Sequence, residues 1–266
     1  LTIASFPDGD AYVKFNIDVK DKTVVIVQSF QPHPDMSLFD IIFAAETAKD
    51  LGAKRVVLVA PYLAYMRQDV RFHPGECISS RVMAKLLNNS VDRVITIDTH
   101  LHRYKTMREI FKISAQNVTA NDLLAEYIRQ KIKNPVIIGP DGESYQWAES
   151  IAKKIGADVT VLEKTRYNSR HVEVKVKKEI PLRGRDVVIV DDIISTGHTM
   201  IEALKQAKKA GAKSVIAIGV HGLFVEDALV KMKKAGFAKI VTTNTIENPS
   251  SLIDISPLLL TELRKE

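Results

Sequence analysis

The sequence predicts an α/β protein with two similar domains, each a mostly parallel sheet flanked by helices. A lysine-rich stretch that ends in glycine precedes a run of β-branched residues at four places, with the glycine at Gly52, Gly156, Gly211 and Gly236. Glycine commonly ends a helix in the left-handed conformation, lysines are favourable near the negative end of the helix dipole, and β-branched runs suit buried strands. Four such junctions indicate repeated βαβ units.

The apolar runs and the segments between them give the expected elements in chain order. We expect strands at residues 24–27, 56–59, 94–97, 136–138, 187–190 and 215–218, where valine and isoleucine dominate. We expect helices at residues 40–51, 120–131, 144–155 and 199–210. The two halves have a similar order of strands and helices, and Asn134-Pro135 opens the second series. The expected domains are therefore residues 1–122 and 123–266.

Composition excludes several classes of protein. The 266 residues are 45% hydrophobic and 26% charged, which is ordinary for a soluble globular protein and excludes disorder as the main state. The longest apolar runs hold four or five residues, far short of the about 20 that a membrane-spanning helix needs. The first residues carry no signal-peptide pattern. We therefore expect no membrane partner.

The cysteine count and the net charge further limit the compartment and the partners that we expect for the protein. A single cysteine, Cys77, excludes an intrachain disulfide and a cysteine-based zinc site, which fits a cytoplasmic location. The net charge of +6 fits either a mildly basic surface or a substrate rich in phosphate. Because no block of five like charges occurs, we expect no nucleic-acid partner.

The most informative segment follows the expected strand at 187–190. Asp191 and Asp192 end the strand, and a short loop then opens a helix with Ser195, Thr196, Gly197, His198 and Thr199. Ligands bind beyond the carboxyl ends of parallel strands. Backbone N–H groups and a helix N-terminus can hold one phosphate, and the two carboxylates can accept hydrogen bonds from sugar hydroxyls. The segment predicts a ribose 5-phosphate site.

This segment resembles the signature that binds 5-phosphoribosyl 1-diphosphate (PRPP) in the type I phosphoribosyltransferase fold. By itself the resemblance leaves three functions open: a phosphoribosyltransferase, a PRPP-dependent regulator, or a ribose-phosphate diphosphokinase (PRPP synthetase). One position departs from the pattern, since His198 stands where most members have the second glycine of T-G-G-T. The other segments decide between the three.

Two segments resemble the ATP-binding stretches of PRPP synthetases. The sequence from Pro61 to Asp69 is similar to P-Y-x-x-Y-x-R-Q-D, and the resemblance implies that Arg67 and Gln68 contact ATP. An earlier segment resembles F-x-D-G-E, with aspartate in place of the glutamate, and implies an ATP site with Phe6, Asp8, Gly9 and Asp10. In the family this site is shared with a neighbouring subunit, so the resemblance implies a homo-oligomer.

Three further segments resemble the family's metal-binding and catalytic stretches. Asp98-Thr99-His100 is similar to D-x-H, and Pro140-Asp141 resembles the diphosphate loop S-P-D-x-G-G, from which Gly142-Glu143-Ser144 departs. These imply Mg²⁺ near His100 and Asp141. Lys164-Thr165-Arg166 resembles K-x-R on a catalytic loop, and its two cations would neutralise charge on a transferring phosphoryl group. Arg166 is also expected to contact ribose 5-phosphate.

The ordered motifs cover nearly the whole chain, which is identified as a member of the PRPP synthetase family in a short, archaeal-like form. Its substrates are expected to be ATP and ribose 5-phosphate. A phosphoribosyltransferase would need a base-recognition hood and would not need K-x-R or R-Q-D. A silent binding protein would be expected to lose Lys164, Arg166 or the acidic pair. The family carries a strand and a helix before F-x-D-G-E, so we expect the start of the N-terminal domain either to be truncated or to lie outside this sequence.

Overall fold

Two units make up the fold. The computed structural model describes residues 1–101, 103–142, 144–168, 171–176 and 180–265, and of 162–168 and 171–176 it describes the backbone alone. Unit 1 consists of Leu1–Val118 with Leu258–Glu266, and unit 2 is Thr119–Pro257. Compared with the expected domains 1–122 and 123–266, the boundary falls four residues earlier and the last nine residues belong to unit 1.

Unit 1 contains a parallel four-stranded sheet in the order β3-β4-β5-β6. A separate antiparallel hairpin, β1 paired with β2, precedes it. The strands are β1 (Thr2–Ser5), β2 (Ala11–Lys14), β3 (Thr23–Val27), β4 (Arg55–Ala60), β5 (Arg93–Ile97) and β6 (Ser114–Val118). The helices are α1 (Pro34–Asp50) and α2 (Ser79–Ser90), followed by a 3₁₀ turn at Met107–Glu109.

Unit 2 contains a seven-stranded sheet in the order β13-β12-β11-β10-β7-β8-β9. Only the edge pair β8–β9 is antiparallel. The strands are β7 (Val136–Gly139), β8 (Asp158–Asn168), β9 (His171–Val176), β10 (Asp186–Ile194), β11 (Ser214–Gly222), β12 (Lys239–Thr243) and β13 (Ser251–Ile253). The helices are α3 (Asn121–Lys131), α4 (Tyr145–Ile155), α5 (His198–Lys209) and α6 (Ala228–Ala235).

The order of strands in unit 2 reverses beside β7. The chain first steps from β7 to β8 on one side and then returns to β10 on the other side. Connections that leave two adjacent strands in opposite directions open a crevice at their carboxyl ends, and ligands bind there. The sheet of unit 1 has no such reversal, because β3 to β6 follow one another in chain order.

The last helix belongs to both units along the chain. Helix α7 (Ser256–Leu263) starts at the end of unit 2, and from Leu258 onward it is part of unit 1. Its Leu259 and Leu263 pack against a buried cluster on the sheet of unit 1, made of Val57, Val59 and Ile95. This apolar contact explains why the last residues join the first unit and not the second.

The four glycine junctions are where the sequence predicts them. Gly52, Gly156, Gly211 and Gly236 have φ angles of +82°, +65°, +84° and +96°, and each lies within two residues of the end of a helix and before a strand. All six predicted strands and all four predicted helices are present, with ends shifted by a few residues. The predicted class, mostly parallel sheets flanked by helices, is confirmed. No helix among the described residues is long and apolar enough to cross a membrane.

Candidate active site

Three carboxylates meet at the carboxyl ends of β7 and β10. The two strands are hydrogen-bonded neighbours in parallel register, with Ile189 opposite Ile138. Asp141 follows the end of β7, and Asp191 and Asp192 lie near the end of β10. The reversal of strand order beside β7 therefore places these side chains in the crevice that the topology opens.

Burial and charge act together on Asp191. Burial raises the pKa of the Asp191 carboxyl well above its usual range, and the negative charges of Asp192 and Asp141 raise it further. The backbone N–H of Asp192 donates to Oδ1 of Asp191 at 3.1 Å. Crowded carboxylates of this kind are stabilised by hydroxyl donors or by a cation.

Asp141 is held in place by a ring of hydrogen bonds with Ser144. The Ser144 N–H donates to Oδ1 of Asp141 at 3.0 Å, the Asp141 N–H donates to Oγ of Ser144 at 3.1 Å, and the Ser144 hydroxyl donates to the carbonyl of Asp141 at 2.8 Å. The loop between β7 and α4 therefore presents the Asp141 carboxylate in one orientation. Glu143, whose departure from the family pattern was noted, lies outside the described residues.

The loop after β10 has the geometry of a backbone phosphate site. Gly197, with φ of +75°, immediately precedes α5, and the Ile201 N–H donates to its carbonyl at 2.9 Å. A Cβ at this position would lie only 2.9 Å from Cγ and Sδ of Met232, so both the backbone and the space require glycine. The first N–H groups of a helix lack intrahelical acceptors and favour an anion. His198 is exposed, and Ser195, Thr196 and Thr199 are half-buried.

Backbone hydrogen bonds from a neighbouring turn also hold the residue that precedes the phosphate loop. The N–H groups of Leu223 and Phe224 both donate to the carbonyl of Ile194, at 2.9 Å and 3.1 Å. Leu223 and Phe224 belong to the turn after β11. His221, near the end of β11, is buried, and its Nδ1 lies 2.9 Å from Oγ1 of Thr245. A buried histidine that contacts a threonine fits a structural role, and the two hydrogen bonds to Ile194 hold the start of the phosphate loop.

In unit 1, the predicted ATP-binding side chains follow two adjacent strands. Arg67 and Gln68 lie in the loop after β4, and His100 follows β5. Parallel pairing places Ala60 opposite Thr96, so the two loops leave the same edge of the sheet. Arg67 is exposed, and among the described residues no side chain pairs with its guanidinium group. A free guanidinium group on a sheet edge can bind phosphate in a fork geometry.

Hydrogen bonds to the Glu76 carboxylate stabilise the loop after β4. Oε2 of Glu76 accepts hydrogen bonds from the N–H groups of Phe72 and His73 at 2.9 Å and 3.0 Å, and its Oε1 lies 2.7 Å from Nδ1 of His73. These bonds and one with the side chain of Gln68 lower the pKa of Glu76. Gln68, a predicted nucleotide contact, is thus already oriented by a carboxylate.

The first predicted ATP-binding segment lies at the tip of the hairpin β1–β2. The Phe6 N–H donates to the carbonyl of Asp10 at 2.8 Å, and the Gly9 N–H donates to the carbonyl of Phe6 at 2.9 Å. The turn that carries Asp8 is therefore closed by its own backbone. Phe6 is 51% exposed, and the centre of its ring lies 5.5 Å from that of Tyr12 in an edge-to-face contact.

The predicted catalytic cations lie on the edge ribbon of unit 2. Lys164 and Arg166 are part of β8, opposite Val174 and Val172 of β9. Their side chains lie outside the part of the chain that the structure describes. The sequence predicted a strand end and a loop here, and the backbone instead continues as an antiparallel ribbon beyond the parallel sheet.

The oxygen donors at the ends of β7 and β10 fit a hard divalent cation such as Mg²⁺. Within the described ranges, no three His, Cys, Asp or Glu side chains form a ready metal cluster. Mg²⁺ commonly takes one or two carboxylates from a protein and fills its remaining positions with water and substrate phosphates. Asp141 can supply such a carboxylate, and a cation would offset the negative charge around Asp191.

Comparisons with known proteins match the whole chain. Residues 1–90 match the family model described as the N-terminal domain of ribose phosphate pyrophosphokinase, and residues 107–252 match the phosphoribosyl transferase domain. A ribose-phosphate pyrophosphokinase of Methanopyrus kandleri is 36% identical over 254 residues, which cover 95% of this chain and 86% of that protein. The chain belongs to the ribose-phosphate pyrophosphokinase family.

Other relatives in the ribose-phosphate pyrophosphokinase family agree with this assignment. Proteins of that name from Saccharolobus solfataricus and Pyrococcus furiosus are 36% and 35% identical, covering 94% and 98% of this chain and 86% and 91% of their own lengths. A crystal structure of phosphoribosylpyrophosphate synthetase from Mycobacterium smegmatis matches with a TM-score of 0.88 at 27% identity, covering 99% of this chain and 88% of that chain. The predicted family, enzyme class and fold are confirmed.

Sequence reasoning missed two polar groups beside the candidate site. The sequence assigns no role to Glu76, yet its carboxylate hydrogen-bonds with the side chain of Gln68. Asp69 was quoted at the end of R-Q-D, yet its carboxylate is fully buried against Arg103. Nothing in the sequence pairs Asp69 with a residue 34 positions later.

Proposed function

We propose that the chain transfers the β,γ-diphosphoryl group of ATP to the anomeric hydroxyl of ribose 5-phosphate, which forms PRPP and AMP. The oxygen of the anomeric hydroxyl forms a bond to Pβ while the bond between Pβ and the α,β-bridging oxygen breaks. AMP leaves with that bridging oxygen, and the hydroxyl proton passes to solvent. The reaction would supply PRPP for nucleotide biosynthesis in the cytoplasm.

The observation that carries this proposal is the arrangement beyond β10 in a member of this family. A backbone phosphate loop lies directly after two crowded carboxylates at the reversal of strand order. The 5-phosphate would bind the loop and the first turn of α5, at Ser195, Thr196, Gly197, His198 and Thr199. Asp191 and Asp192 would accept hydrogen bonds from the ribose hydroxyls. One stretch of chain would thereby recognise both the phosphate and the hydroxyls of one sugar.

On the ATP side, Arg67 would bind phosphate oxygens, and Gln68 would contact the nucleotide with an amide oriented by Glu76. In unit 2, Asp141 would hold Mg²⁺, which neutralises polyphosphate charge. In unit 1, His100 would contact Mg²⁺ through water, since a nitrogen ligand suits this ion poorly. Lys164 and Arg166 would offset the charge that develops on the transferring group. The contribution of the protein is positioning and electrostatics.

We also propose a homo-oligomer in which Phe6, Asp8, Gly9 and Asp10 complete the ATP site of a neighbouring subunit. The hairpin supports this, because all four residues of β1 and its whole turn are exposed. An aromatic ring that is half exposed on a closed turn suits stacking on a base. The carboxylates beside it can accept hydrogen bonds from an exocyclic amine.

Phosphorus NMR of the chain with Mg²⁺, ATP and ribose 5-phosphate tests the proposed reaction. The expected result is the joint appearance of AMP and a diphosphate on the anomeric carbon. ATP that stays intact, while ribose 5-phosphate still binds, would contradict the proposal and favour a silent binding protein. Omitting Mg²⁺ should stop the reaction.

Replacing Lys164 separates catalysis from binding. We expect Lys164→Ala to lower kcat by roughly 10³-fold, because a cation on a transferring phosphoryl group contributes about that much. The affinity for ribose 5-phosphate should stay within about twofold, because that substrate is held mainly by the loop before α5. Lys205→Ala is the control, since Lys205 forms an exposed pair with Glu202 in the same unit. Normal turnover at saturation with a large loss of binding would remove Lys164 from this role.

Mixing two inactive variants tests the shared site. A chain with Phe6→Ala and Asp8→Ala lacks the hairpin contacts, and Lys164→Ala lacks the catalytic cation. If ATP sites are shared, dissociated and reassembled mixtures regain activity, because some sites combine an intact hairpin with an intact Lys164. Mixed oligomers that stay inactive would mean that each subunit builds its own site.

A further inference from the structure

A buried ion pair joins the loop after β4 to the loop after β5. The Asp69 side chain is 0% exposed, whereas that of Arg103 is 45% exposed. Oδ1 of Asp69 accepts a hydrogen bond from Nη1 of Arg103 at 2.6 Å, and Oδ2 accepts one from the Arg103 backbone N–H at 3.2 Å. Both carboxylate oxygens are therefore used by one residue of the other loop.

Neighbouring side chains reinforce this pair. The Tyr104 hydroxyl donates to the carbonyl of Asp69 at 3.1 Å and accepts a hydrogen bond from Nε of Arg81 at 3.2 Å. The Arg103 guanidinium carbon lies 5.3 Å from the centre of the Phe72 ring, within the range of a cation–π contact. The connection between the two loops thus has hydrogen bonds, opposite charges and an aromatic contact.

The pair lies next to the residues proposed for ATP. Asp69 directly follows Arg67 and Gln68, and Arg103 comes three positions after His100. The carbonyl of Gln68 accepts a hydrogen bond from the N–H of Ser80 at 3.2 Å, at the start of α2. The backbone at Gln68 and Asp69 is therefore held on both sides, while the Arg67 side chain is left to meet a ligand.

We propose that Asp69 and Arg103 are positioning residues for the nucleotide. They fix the separation between the Arg67–Gln68 segment and the loop of His100, so that one polyphosphate can contact both. The inference rests on the proposed function. A carboxylate that is wholly buried loses its counter-charge when Arg103 is removed, and such an uncompensated charge forces its surroundings to rearrange. Displacement of binding groups by about 1 Å can cost about 10²-fold in rate.

The test compares Arg103→Ala with Arg103→Lys and Tyr104→Phe. We expect Arg103→Ala to weaken ATP binding, measured by calorimetry without ribose 5-phosphate, by roughly 10- to 100-fold. KM for ribose 5-phosphate should stay within about twofold, because that site is built from unit 2. Arg103→Lys keeps the charge but not the planar guanidinium group, and should restore part of the affinity. Arg129→Ala, which removes an exposed pair with Glu126 in unit 2, is the control and should change nothing.

Three results would overturn the inference. The first is an unchanged ATP affinity in folded Arg103→Ala. The second is an equal loss of affinity for ATP and ribose 5-phosphate. The third is an ATP affinity of Arg103→Lys no higher than that of Arg103→Ala. If Arg103→Ala does not fold, Tyr104→Phe decides, with an expected loss of roughly two- to fivefold in ATP affinity from one hydrogen bond. If the wild-type chain binds ATP but forms no PRPP, the proposed function fails, while the binding measurements still test the pair.

Discussion

Unit 1 and unit 2 bury different kinds of polar side chain. Among the described residues outside the candidate site of unit 2, the buried carboxylates and guanidinium groups, Asp69, Arg93, Asp98 and Glu262, all lie in unit 1. Apart from the shielded carboxyl of Asp191 in that site, unit 2 buries hydroxyls, one amide and one imidazole, on Asn121, Ser144, Thr160, His221, Thr242, Thr243, Thr245 and Ser250. The candidate phosphate contacts also differ, since unit 1 offers the side chain of Arg67 and unit 2 offers a backbone loop.

This difference determines how strongly the stability of each unit depends on a single side chain. A buried charge costs several kcal/mol unless its partner is present, whereas a neutral hydrogen bond contributes about 1 kcal/mol. Unit 1 therefore relies on particular pairs of distant residues. Unit 2 distributes its polar contacts over many weak bonds and over the backbone, which no side-chain substitution removes.

The largest expected effect comes from breaking the buried pair between β5 and α7. Nη2 of Arg93 donates to Oε1 of Glu262 at 2.8 Å, and both side chains are more than nine-tenths buried. Glu262→Ala should lower the free energy of unfolding of unit 1 by about 3–5 kcal/mol, because it removes the carboxylate from a buried guanidinium group. Urea unfolding followed by hydrogen exchange in unit 1 measures this loss.

The control for Glu262→Ala is Glu202→Ala in unit 2. Glu202 forms a pair with Lys205 at 2.7 Å on the exposed face of α5. Such pairs contribute about 0.3–0.5 kcal/mol. Equal losses in the two variants would mean that burial of charge does not distinguish the units.

The next effect should come from Gly197→Ala in the phosphate loop of unit 2. A side chain at φ of +75° costs about 1–2 kcal/mol, and its Cβ would come within 2.9 Å of Met232. We expect the affinity for ribose 5-phosphate to fall by roughly 30-fold or more, as about 2 kcal/mol or more is lost. Calorimetry with ribose 5-phosphate measures it.

Gly184→Ala is a matched control for Gly197→Ala. Gly184 has a φ of +76°, and an added Cβ there meets nothing within 4 Å. The backbone strain is the same, yet the position lies before β10, at the opposite end of the strand from the phosphate loop. If both variants lost the same affinity, the effect would come from general strain and not from the loop.

A smaller effect is expected from the hydroxyl network of unit 2. Oγ1 of Thr245 lies 2.9 Å from Nδ1 of His221 and donates to the carbonyl of Val220 at 3.1 Å. Thr245→Val should destabilise unit 2 by about 1–2 kcal/mol, because only neutral hydrogen bonds are lost. Thr2→Val, which removes an exposed hydroxyl bonded to Asn16, is the control. If Thr245→Val lowered the free energy of unfolding as much as Glu262→Ala, the two units would not differ in how strongly they depend on single side chains.

The smallest effect should appear at high pH, at a partly exposed contact of unit 1. The Tyr65 hydroxyl hydrogen-bonds to Asp35, and burial, this bond and the charge of Asp35 raise the pKa of Tyr65 from 10.0 to about 12. Folding favours the protonated phenol, so its stabilisation is complete below pH 10 and is lost as the pH rises to about 12. Phenolate absorbance should show a late step that Tyr65→Phe removes. An absorbance curve that Tyr65→Phe leaves unchanged at high pH would contradict this.

The fold could be predicted from the sequence because its signals are local. Each glycine junction links a helix end to the next strand within a few residues, and the φ angles at Gly52 and Gly156 agree with that role. Helix α7 could not be assigned, since Leu259 and Leu263 give an apolar pattern that suits either unit. The surface that these two leucines contact in the folded protein determines the unit to which α7 belongs.

The candidate site was predictable in unit 2 and less so in unit 1, for a related reason. The acids, hydroxyls and glycine of the phosphate loop form one continuous stretch that ends in Thr199. The buried ion pairs of unit 1 join residues far apart, such as Asp69 with Arg103 at a separation of 34 positions and Arg93 with Glu262 at 169. No local pattern reveals which charges will be buried together.

The return of α7 to unit 1 has a consequence for synthesis on the ribosome. Domains usually fold in the order in which they emerge, the N-terminal one first. Here the apolar cover for Val57 and Ile95, and the carboxylate for Arg93, are translated only after all of unit 2. Unit 2 is a continuous segment that can reach its native state co-translationally. Unit 1, although begun earlier, stays unfinished until α7 has been translated, so it matures after unit 2.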